Sequence, residues 1–396
     1  MRTEEELGSA LRQAAERAPE RDLLQGLGAR RRRRSRRRAQ AVLAAAAVVT
    51  VMGGTAVAFS RGGGEAAAQP EPEPSAIVET TPSEGRPIEE VWPQAIFTMP
   101  AKNADGWRYR PITALSATEI LLNAESSFEK AGAIEVYNTE TRTARVVTKV
   151  PVTPGLKKYF PQDTAHDAAN LAWYVNAETK DGTAVREIWT APLAGGDARM
   201  VATFTGEHKL MDSIALDGEN VVWGEDGREL WTIPLTGGEP RKFATGASLI
   251  DWPWLSDVPA EMNSNQSTVK NIATGETREI KAPQGAIDLR CGPTWCVGRT
   301  NEGGFMQRVD GTGFRKSGDG FAFGLRPYPI LDRFTGEANG AHDLATGTYV
   351  TWKRPGNSFG VGTSPEPSTI IYWDATKGDK PDEYRVVNLA AVPPAQ

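Results

Sequence analysis

The residues with the clearest chemical pattern are four aspartates at intervals of 49, 39 and 37 positions: Asp163, Asp212, Asp251 and Asp288. Each lies near the start of a predicted strand. If these strands are the innermost strands of consecutive units in one ring, the four carboxylates line one mouth of its central channel. There they could hold a cation or receive a basic partner peptide. The alternative is that each carboxylate hydrogen-bonds to the backbone where its strand begins.

The only two cysteines, Cys291 and Cys296, are separated by four residues. A tight hairpin between them brings both sulfurs within disulfide distance, and an oxidising compartment permits the bond. A metal site would need further ligands, and no histidine is close in sequence. The spacing therefore predicts a structural disulfide and no metal centre.

Catalytic patterns are weak in this chain. The segment Gly356–Gly360 formally matches a nucleophile elbow around Ser358, but that motif needs a later histidine and the last of the three histidines is His342. His166, His208 and His342 form no zinc-binding motif. We therefore expect no catalytic residues, no cofactor and no enzyme activity, and a hydrolase or lyase is only the third alternative.

Internal repetition indicates how the candidate residues are positioned. The segment Ile188–Asp197 recurs forty-two positions later as Leu230–Glu239, each copy reading as a strand, a glycine turn and a return strand. Looser copies give seven anchors at intervals of 56, 42, 37, 37, 35 and 29 residues, near the ~40 residues of a four-stranded propeller blade. The anchors are Tyr137, Leu193, Leu235, Ile272, Val309, Leu344 and Trp373. The region from Val91 onwards is therefore predicted to be an all-β propeller of seven blades.

Six blades remain the alternative, because the last unit is short. A second reason for this alternative is that Ile96–Met99 could supply a closing strand from the N-terminal side.

A family resemblance follows from the same residues. The unit Leu216–Trp223 followed by Glu229–Glu239 resembles the WD40-like repeat of TolB-type β-propellers, and the resemblance is most specific between Asp167 and Lys242. It implies a propeller fold and a tendency to bind proteins. The arginine run described next, the Ala- and Val-rich segment after it and the acidic body together look like a high-GC, actinobacterial membrane protein.

The N-terminal region has the pattern of a membrane anchor. Eight arginines interrupted only by Ser35 occupy Arg30–Arg38, and the uncharged segment Ala41–Phe59 follows. As a helix, that segment would span roughly 28 Å, close to the thickness of the hydrocarbon core. The positive-inside rule then places the N-terminus in the cytoplasm and the propeller outside.

The charge distribution separates a basic N-terminus from an acidic body. Residues 1–61 carry thirteen arginines and six acidic residues, a formal charge of +7, and the rest carries −12. The membrane explains the arginines, so we expect a lipid bilayer and no nucleic acid as the partner of this region. The alternative is a secretory signal cleaved after Ala58, which would release the same propeller.

These observations predict four regions: a cytoplasmic basic tail with a short amphipathic helix at 1–38, a transmembrane helix at 39–60, a Pro-, Gly- and Glu-rich stalk at 61–90, and an extracytoplasmic propeller at 91–396. We expect a scaffold that binds an extracytoplasmic protein or peptide. The alternative is a sensor that signals through the tail.

Overall fold

The computed structural model describes residues 85–127, 130–206, 211–259, 264–317, 327–337, 339–356, 359–364, 367–376 and 382–395. The predicted tail, the predicted membrane span and most of the predicted stalk lie outside these ranges. Within them, no helix is both long enough and apolar enough to cross a bilayer.

The described residues form seven four-stranded sheets, which confirms the all-β propeller and its seven blades. Two strands precede the first complete blade: β1 (Arg86–Pro87) and β2 (Ile96–Pro100). Blade 1 consists of β3 (Arg108–Ala114), β4 (Glu119–Ser127), β5 (Lys130–Asn138) and β6 (Thr143–Lys149). Blade 2 consists of β7 (Lys157–His166), β8 (Asn170–Glu178), β9 (Ala184–Pro192) and β10 (Arg199–Thr205). Blade 3 consists of β11 (Met211–Leu216), β12 (Asn220–Glu225), β13 (Glu229–Pro234) and β14 (Arg241–Thr245).

The remaining blades are built from shorter strands. Blade 4 consists of β15 (Ser248–Asp251), β16 (Trp254–Ser256), β17 (Thr268–Asn271) and β18 (Thr277–Glu279). Blade 5 consists of β19 (Ile287–Cys291), β20 (Trp295–Thr300), β21 (Gly303–Arg308) and β22 (Arg315–Lys316). Blade 6 contains β23 (Phe334–Glu337), β24 (Gly340–Asp343) and β25 (Thr348–Thr351), with β1 on its outer edge. Blade 7 contains β26 (Gly360–Val361), β27 (Ile370–Asp374) and β28 (Glu383–Asn388), with β2 on its outer edge.

The repeated turn residues act by hydrogen-bonding the backbone. In blade 3 the carboxylate of Asp217 accepts the N–H groups of Glu219 and Asn220 at 3.0 and 2.6 Å. Asp167 holds the equivalent turn of blade 2 in the same way. An Asx turn needs an Asp or Asn side chain that accepts the backbone N–H two residues later. The same residue type therefore recurs at each such turn, and this makes the repeat visible in the sequence.

Helical structure in the described residues is confined to α1 (Ile88–Val91) and the 3₁₀ turns Pro93–Ala95 and Leu389–Ala391. The first two connect β1 to β2. Ile88 is fully buried, and Trp92 packs edge-on against Phe334 with ring centroids 5.8 Å apart. Residues 85–90, part of the predicted stalk, therefore contact blade 6.

The ring is closed by the N-terminal strand β2. It pairs antiparallel with β28, from Ile96 opposite Val387 to Pro100 opposite Glu383. The predicted closing strand is thus present, and it completes blade 7. Strand β1 pairs in parallel with Val350 and Thr351 and covers the outer edge of blade 6.

The predicted disulfide between Cys291 and Cys296 is confirmed. The N–H of Gly292 donates to the Trp295 carbonyl at 2.8 Å, so the cysteines form the next cross-strand pair, with Cα atoms 3.9 Å apart. Both residues are fully buried in the core of blade 5. The bond therefore links β19 to β20 inside the blade.

Candidate functional site

Each of blades 1 to 5 contains four consecutive strands that alternate in direction. The first strand of each of these blades therefore begins on the same face of the ring. We call this the leading face. Two of the four candidate aspartates lie close to it, and a third lies further along its strand. Asp212 and Asp288 are the second residues of β11 and β19, and Asp163 lies in the second half of β7.

A local irregularity positions each of these three side chains. The pairing of the first with the second strand shifts register between Pro161 and Thr164, between Met211 and Ser213, and between Ile287 and Arg290. A β-bulge turns a side chain away from the regular alternation of the strand. The three aspartates thus share a structural context, in blades 2, 3 and 5.

Tyr174 connects the carboxylates of blades 2 and 3. Its hydroxyl lies 3.1 Å from the Met211 carbonyl oxygen, to which it donates, and 3.4 Å from Oδ2 of Asp163. Burial is the main cause that raises the Tyr174 pKa, and the negative charges of Asp163 and Asp212 raise it further. Both carboxylates are therefore close enough to act on one phenol.

Asp212 is held firmly by its own blade. Its Oδ1 accepts the Ser213 hydroxyl at 2.9 Å, and its Oδ2 accepts the N–H of Gly227. Gly227 has a φ of 62°, a conformation that glycine adopts without cost. A Cβ there would also meet Pro259 at 2.8 Å, so the loop that supplies this N–H depends on glycine.

Asp288 is paired with a cation. Nε and Nη2 of Arg299 lie 2.9 and 2.6 Å from its Oδ2. Arg299 is on β20, the next strand of the same blade. Blade 5 therefore presents an ion pair on the leading face.

Asp251 lies at the opposite end of its strand. It is the last residue of β15 and is opposite Trp254, the first residue of β16. The cis peptide between Trp252 and Pro253 forms the turn that follows it. Asp163 and Asp212 thus both influence Tyr174, whereas Asp251 lies toward the other face of the ring.

The described part of the chain shows no cluster of side chains suited to binding a metal ion. No group of three or more His, Cys, Asp or Glu side chains there is placed to hold a metal ion. His342 stacks on Tyr349 with centroids 4.2 Å apart, and burial lowers the pKa of His166. His208 and Ser358 lie outside the described residues.

Two arginines on the leading face were missed in the sequence analysis. Arg108 donates from Nε to the Tyr384 hydroxyl at 2.8 Å, the main cause of its raised pKa. Arg110 lies 2.5 Å from Glu125 and has Cζ 4.5 Å from the Phe160 ring centroid. The signal available was Arg108-Tyr109-Arg110 at the start of the first innermost strand, where alternate side chains share a face.

No protein family and no curated protein matches this chain. The β-propeller domain of the Trilobed protease from Pyrococcus furiosus is similar at 14% identity, covering 67% of this chain and 90% of that chain, with a TM-score of 0.40. BamB from Moraxella catarrhalis is similar at 12% identity, covering 72% and 86%, with a TM-score of 0.36. An oligogalacturonate lyase from Vibrio parahaemolyticus is similar at 10% identity, covering 71% and 77%, with a TM-score of 0.38. This chain is a seven-bladed β-propeller.

The expectation that this chain is not an enzyme is corrected by the last comparison. It relied on the lack of a catalytic motif, yet a solved protein with a similar propeller is a lyase. In a propeller, side chains from loops of several blades meet on one face, so a catalytic set need not form a local sequence motif. The likeness itself concerns the fold alone and transfers no activity to this chain.

Proposed function

We propose that this chain is a single-pass membrane protein that displays its propeller outside the cytoplasm and binds a basic segment of a protein or peptide there. The observation that carries the binding proposal is that the Tyr174 hydroxyl lies 3.4 Å from Oδ2 of Asp163 and 3.1 Å from the Met211 carbonyl oxygen, next to Asp212 in the sequence. Carboxylates from neighbouring blades attract lysine and arginine side chains.

The proposed location is supported by the sequence and by the disulfide. Arg30–Arg38 followed by Ala41–Phe59 has the composition of a cytoplasmic flank and a span. A disulfide between Cys291 and Cys296 is typical of proteins in oxidising compartments. Membership of the TolB-type propellers and an actinobacterial origin are part of the same proposal, supported by the repeat and the arginine run.

Binding is tested with the full-length chain in detergent micelles and a fluorescein-labelled peptide of alternating lysine and serine. We expect Asp163→Asn and Asp212→Asn each to raise Kd about 5- to 30-fold, the effect of losing one charge pair. Asp251→Asn is the matched control, because Asp251 lies on the opposite face, and it should leave Kd unchanged. Equal affinity in all four proteins would refute the proposed site.

The location is tested by fractionation. The full-length chain should sediment with membranes and be released by detergent but not by carbonate or salt, since a span is held by its apolar surface. Deletion of residues 41–59 should leave the chain in the soluble fraction. A mature N-terminus at Phe59 would instead show cleavage after Ala58 and a secreted propeller.

The sensor alternative depends on residues 1–28, which contain an apolar stripe at Leu7, Leu11, Ala14 and Ala15. Deleting these residues should leave peptide binding intact in both cases. A cellular response that is lost with the tail while binding persists would favour the sensor over the scaffold.

A further inference from the structure

The facing sides of blades 1 and 2 carry a group of buried polar side chains, which we call the inter-blade cluster: Arg110, Asn123, Glu125, Thr164 and Trp173. Among the described residues, no hydrogen-bond partner is within reach of Nε of Arg110, either polar atom of Asn123, Oγ1 of Thr164 or Nε1 of Trp173. Buried polar atoms are nearly always paired, so this group points to a ligand.

Strand pairing places the blade 1 residues on one side of their sheet. Arg110 is directly opposite Asn123, which is directly opposite Ile134, and directly paired residues project to the same face. Ile134 and Leu121 belong to the same hydrophobic core as Trp173 of blade 2. The side of blade 1 that carries Arg110 and Asn123 therefore packs against blade 2.

The blade 2 residues meet that face. Thr164 is directly opposite Trp173, so both project from the same side of blade 2. Trp173 and Asn123 are fully buried, and so is Thr164. Phe160, earlier on the same innermost strand as Thr164, contacts the Arg110 guanidinium with its ring.

The atoms without partners are mainly donors. Arg110, Asn123 and Trp173 offer N–H groups that can only donate, and Thr164 can donate or accept. The acceptors are the carbonyl oxygen of Asn123 and Oε1 of Glu125, and the latter already lies 2.5 Å from Nη2 of Arg110 in an ion pair. An occupant that satisfies this set must therefore supply mostly acceptor oxygens.

The charges of the cluster favour a negative occupant. Arg110 is 2.5 Å from Glu125, and Arg108 is close enough to act electrostatically on the same carboxyl group. Two cations thus face one carboxyl group. Burial, the largest influence, raises the Glu125 pKa and opposes its ionisation.

One member of the cluster is partly exposed. Arg110 belongs to the innermost strand of blade 1, and 22% of its side chain is exposed. Asn123, Thr164 and Trp173 are fully buried. A ligand would therefore have to enter beside the guanidinium.

We propose that the inter-blade cluster binds the carboxylate of a small ligand entering from the channel. The carboxylate oxygens accept from Nε of Arg110, the Asn123 amide and the Trp173 indole N–H, with Thr164 as a further partner. This site is separate from the proposed peptide site at Asp163 and Asp212, and it does not depend on where in the cell the propeller is located.

The test is thermal unfolding of the full-length chain in sodium acetate, with sodium chloride at equal ionic strength and acetamide as controls. We expect saturating acetate to raise Tm by about 2 to 4 °C. Sodium chloride and acetamide should not, because chloride has no acceptor oxygens and acetamide carries no charge. Equal Tm values in acetate and chloride would overturn the proposal, as would an equal rise with acetamide.

Two variants distinguish the site from a general salt effect. Trp173→Phe keeps an aromatic ring but removes the indole N–H, and the acetate shift should fall by at least half. Trp223→Phe is the matched control, since Trp223 holds the equivalent position in blade 3 and its N–H already donates to Glu225 at 3.1 Å. If Trp173→Phe fails to fold, Asn123→Leu serves as the second variant and should abolish the shift. A crystal structure grown in acetate that shows only water beside Asn123 would also overturn the proposal.

Discussion

The hydroxyl of Tyr159 donates a 2.8 Å hydrogen bond to the carboxylate of Glu187, and both side chains are buried in blade 2. Glu187 also accepts from Oγ1 of Thr153 and Nε1 of Trp189, each at 3.0 Å. All three of these donors are neutral. The carboxylate therefore depends on each hydrogen bond for the solvation it loses on burial.

Replacing Tyr159 with Phe should destabilise the protein by about 1 to 2 kcal/mol and lower Tm by about 2 to 4 °C, because one donor to a buried acidic group is lost. Thermal and urea unfolding measure this change. Tyr137→Phe is the control: Tyr137 is equally buried, and its hydroxyl makes no hydrogen bond within the described residues. An equal loss in both variants would show that packing, not the hydrogen bond to Glu187, is responsible.

Buried tyrosines should make stability fall at high pH. Burial raises the pKa of Tyr372 to about 12 and raises that of Tyr109, Tyr159 and Tyr174 further. A pKa raised in the folded state means that unfolding releases protons above pH ~10, so the stabilisation is complete below that pH and decreases as pH rises through the folded pKa. Absorbance at 295 nm and circular dichroism should change together above pH ~10. Ionisation of most of the eight tyrosines before any loss of structure would contradict this prediction.

Removing the disulfide should cost roughly 2 kcal/mol, since the loop that it closes is short. The double variant Cys291→Ser, Cys296→Ser should unfold at a lower urea concentration with an unchanged slope. Because both cysteines are fully buried, dithiothreitol should reduce the native protein only slowly. Rapid reduction without loss of structure would show that blade 5 opens locally.

The N-terminal strand β2 should be essential for the ring. A chain that begins at Gly85 keeps both β1 and β2 and should unfold cooperatively, with a Tm close to that of the full-length chain. A chain that begins at Ala101 lacks the strand that pairs with β28 and should lose cooperativity or aggregate, because it exposes the edge of blade 7. Differential scanning calorimetry compares the two. Equal transitions would show that ring closure by β2 is dispensable.

Local sequence patterns were sufficient to predict the architecture. The copies Ile188–Asp197 and Leu230–Glu239 predicted repeated blades because an Asx or glycine turn restricts which residues it accepts. The spacing of Cys291 and Cys296 predicted the disulfide for a similar reason: six residues in a hairpin leave few alternatives. Ile96–Met99 was predicted as a possible closing strand in the six-bladed alternative, and the structure shows that it completes a seventh blade.

The candidate site depended on tertiary structure. The intervals between the four aspartates resembled blade lengths, but Asp251 ends its strand whereas Asp212 lies near the start of its own. Bulges near Asp163 and Asp212 also change the direction in which those side chains project. A bulge shifts register by one residue, and one residue reverses the side of a strand.

By itself, the sequence determined the strand-rich repeat, the closing segment and the cysteine pair, since each is encoded by residues close together in the chain. Only the tertiary structure decided that the Tyr174 hydroxyl lies near Asp163 and the Met211 carbonyl of the next blade, and that the side of blade 1 carrying Asn123 packs against the core around Trp173. Tyr174 and Met211 are 37 residues apart and Asn123 and Trp173 are 50 apart, and the packing of one blade against the next brings them together.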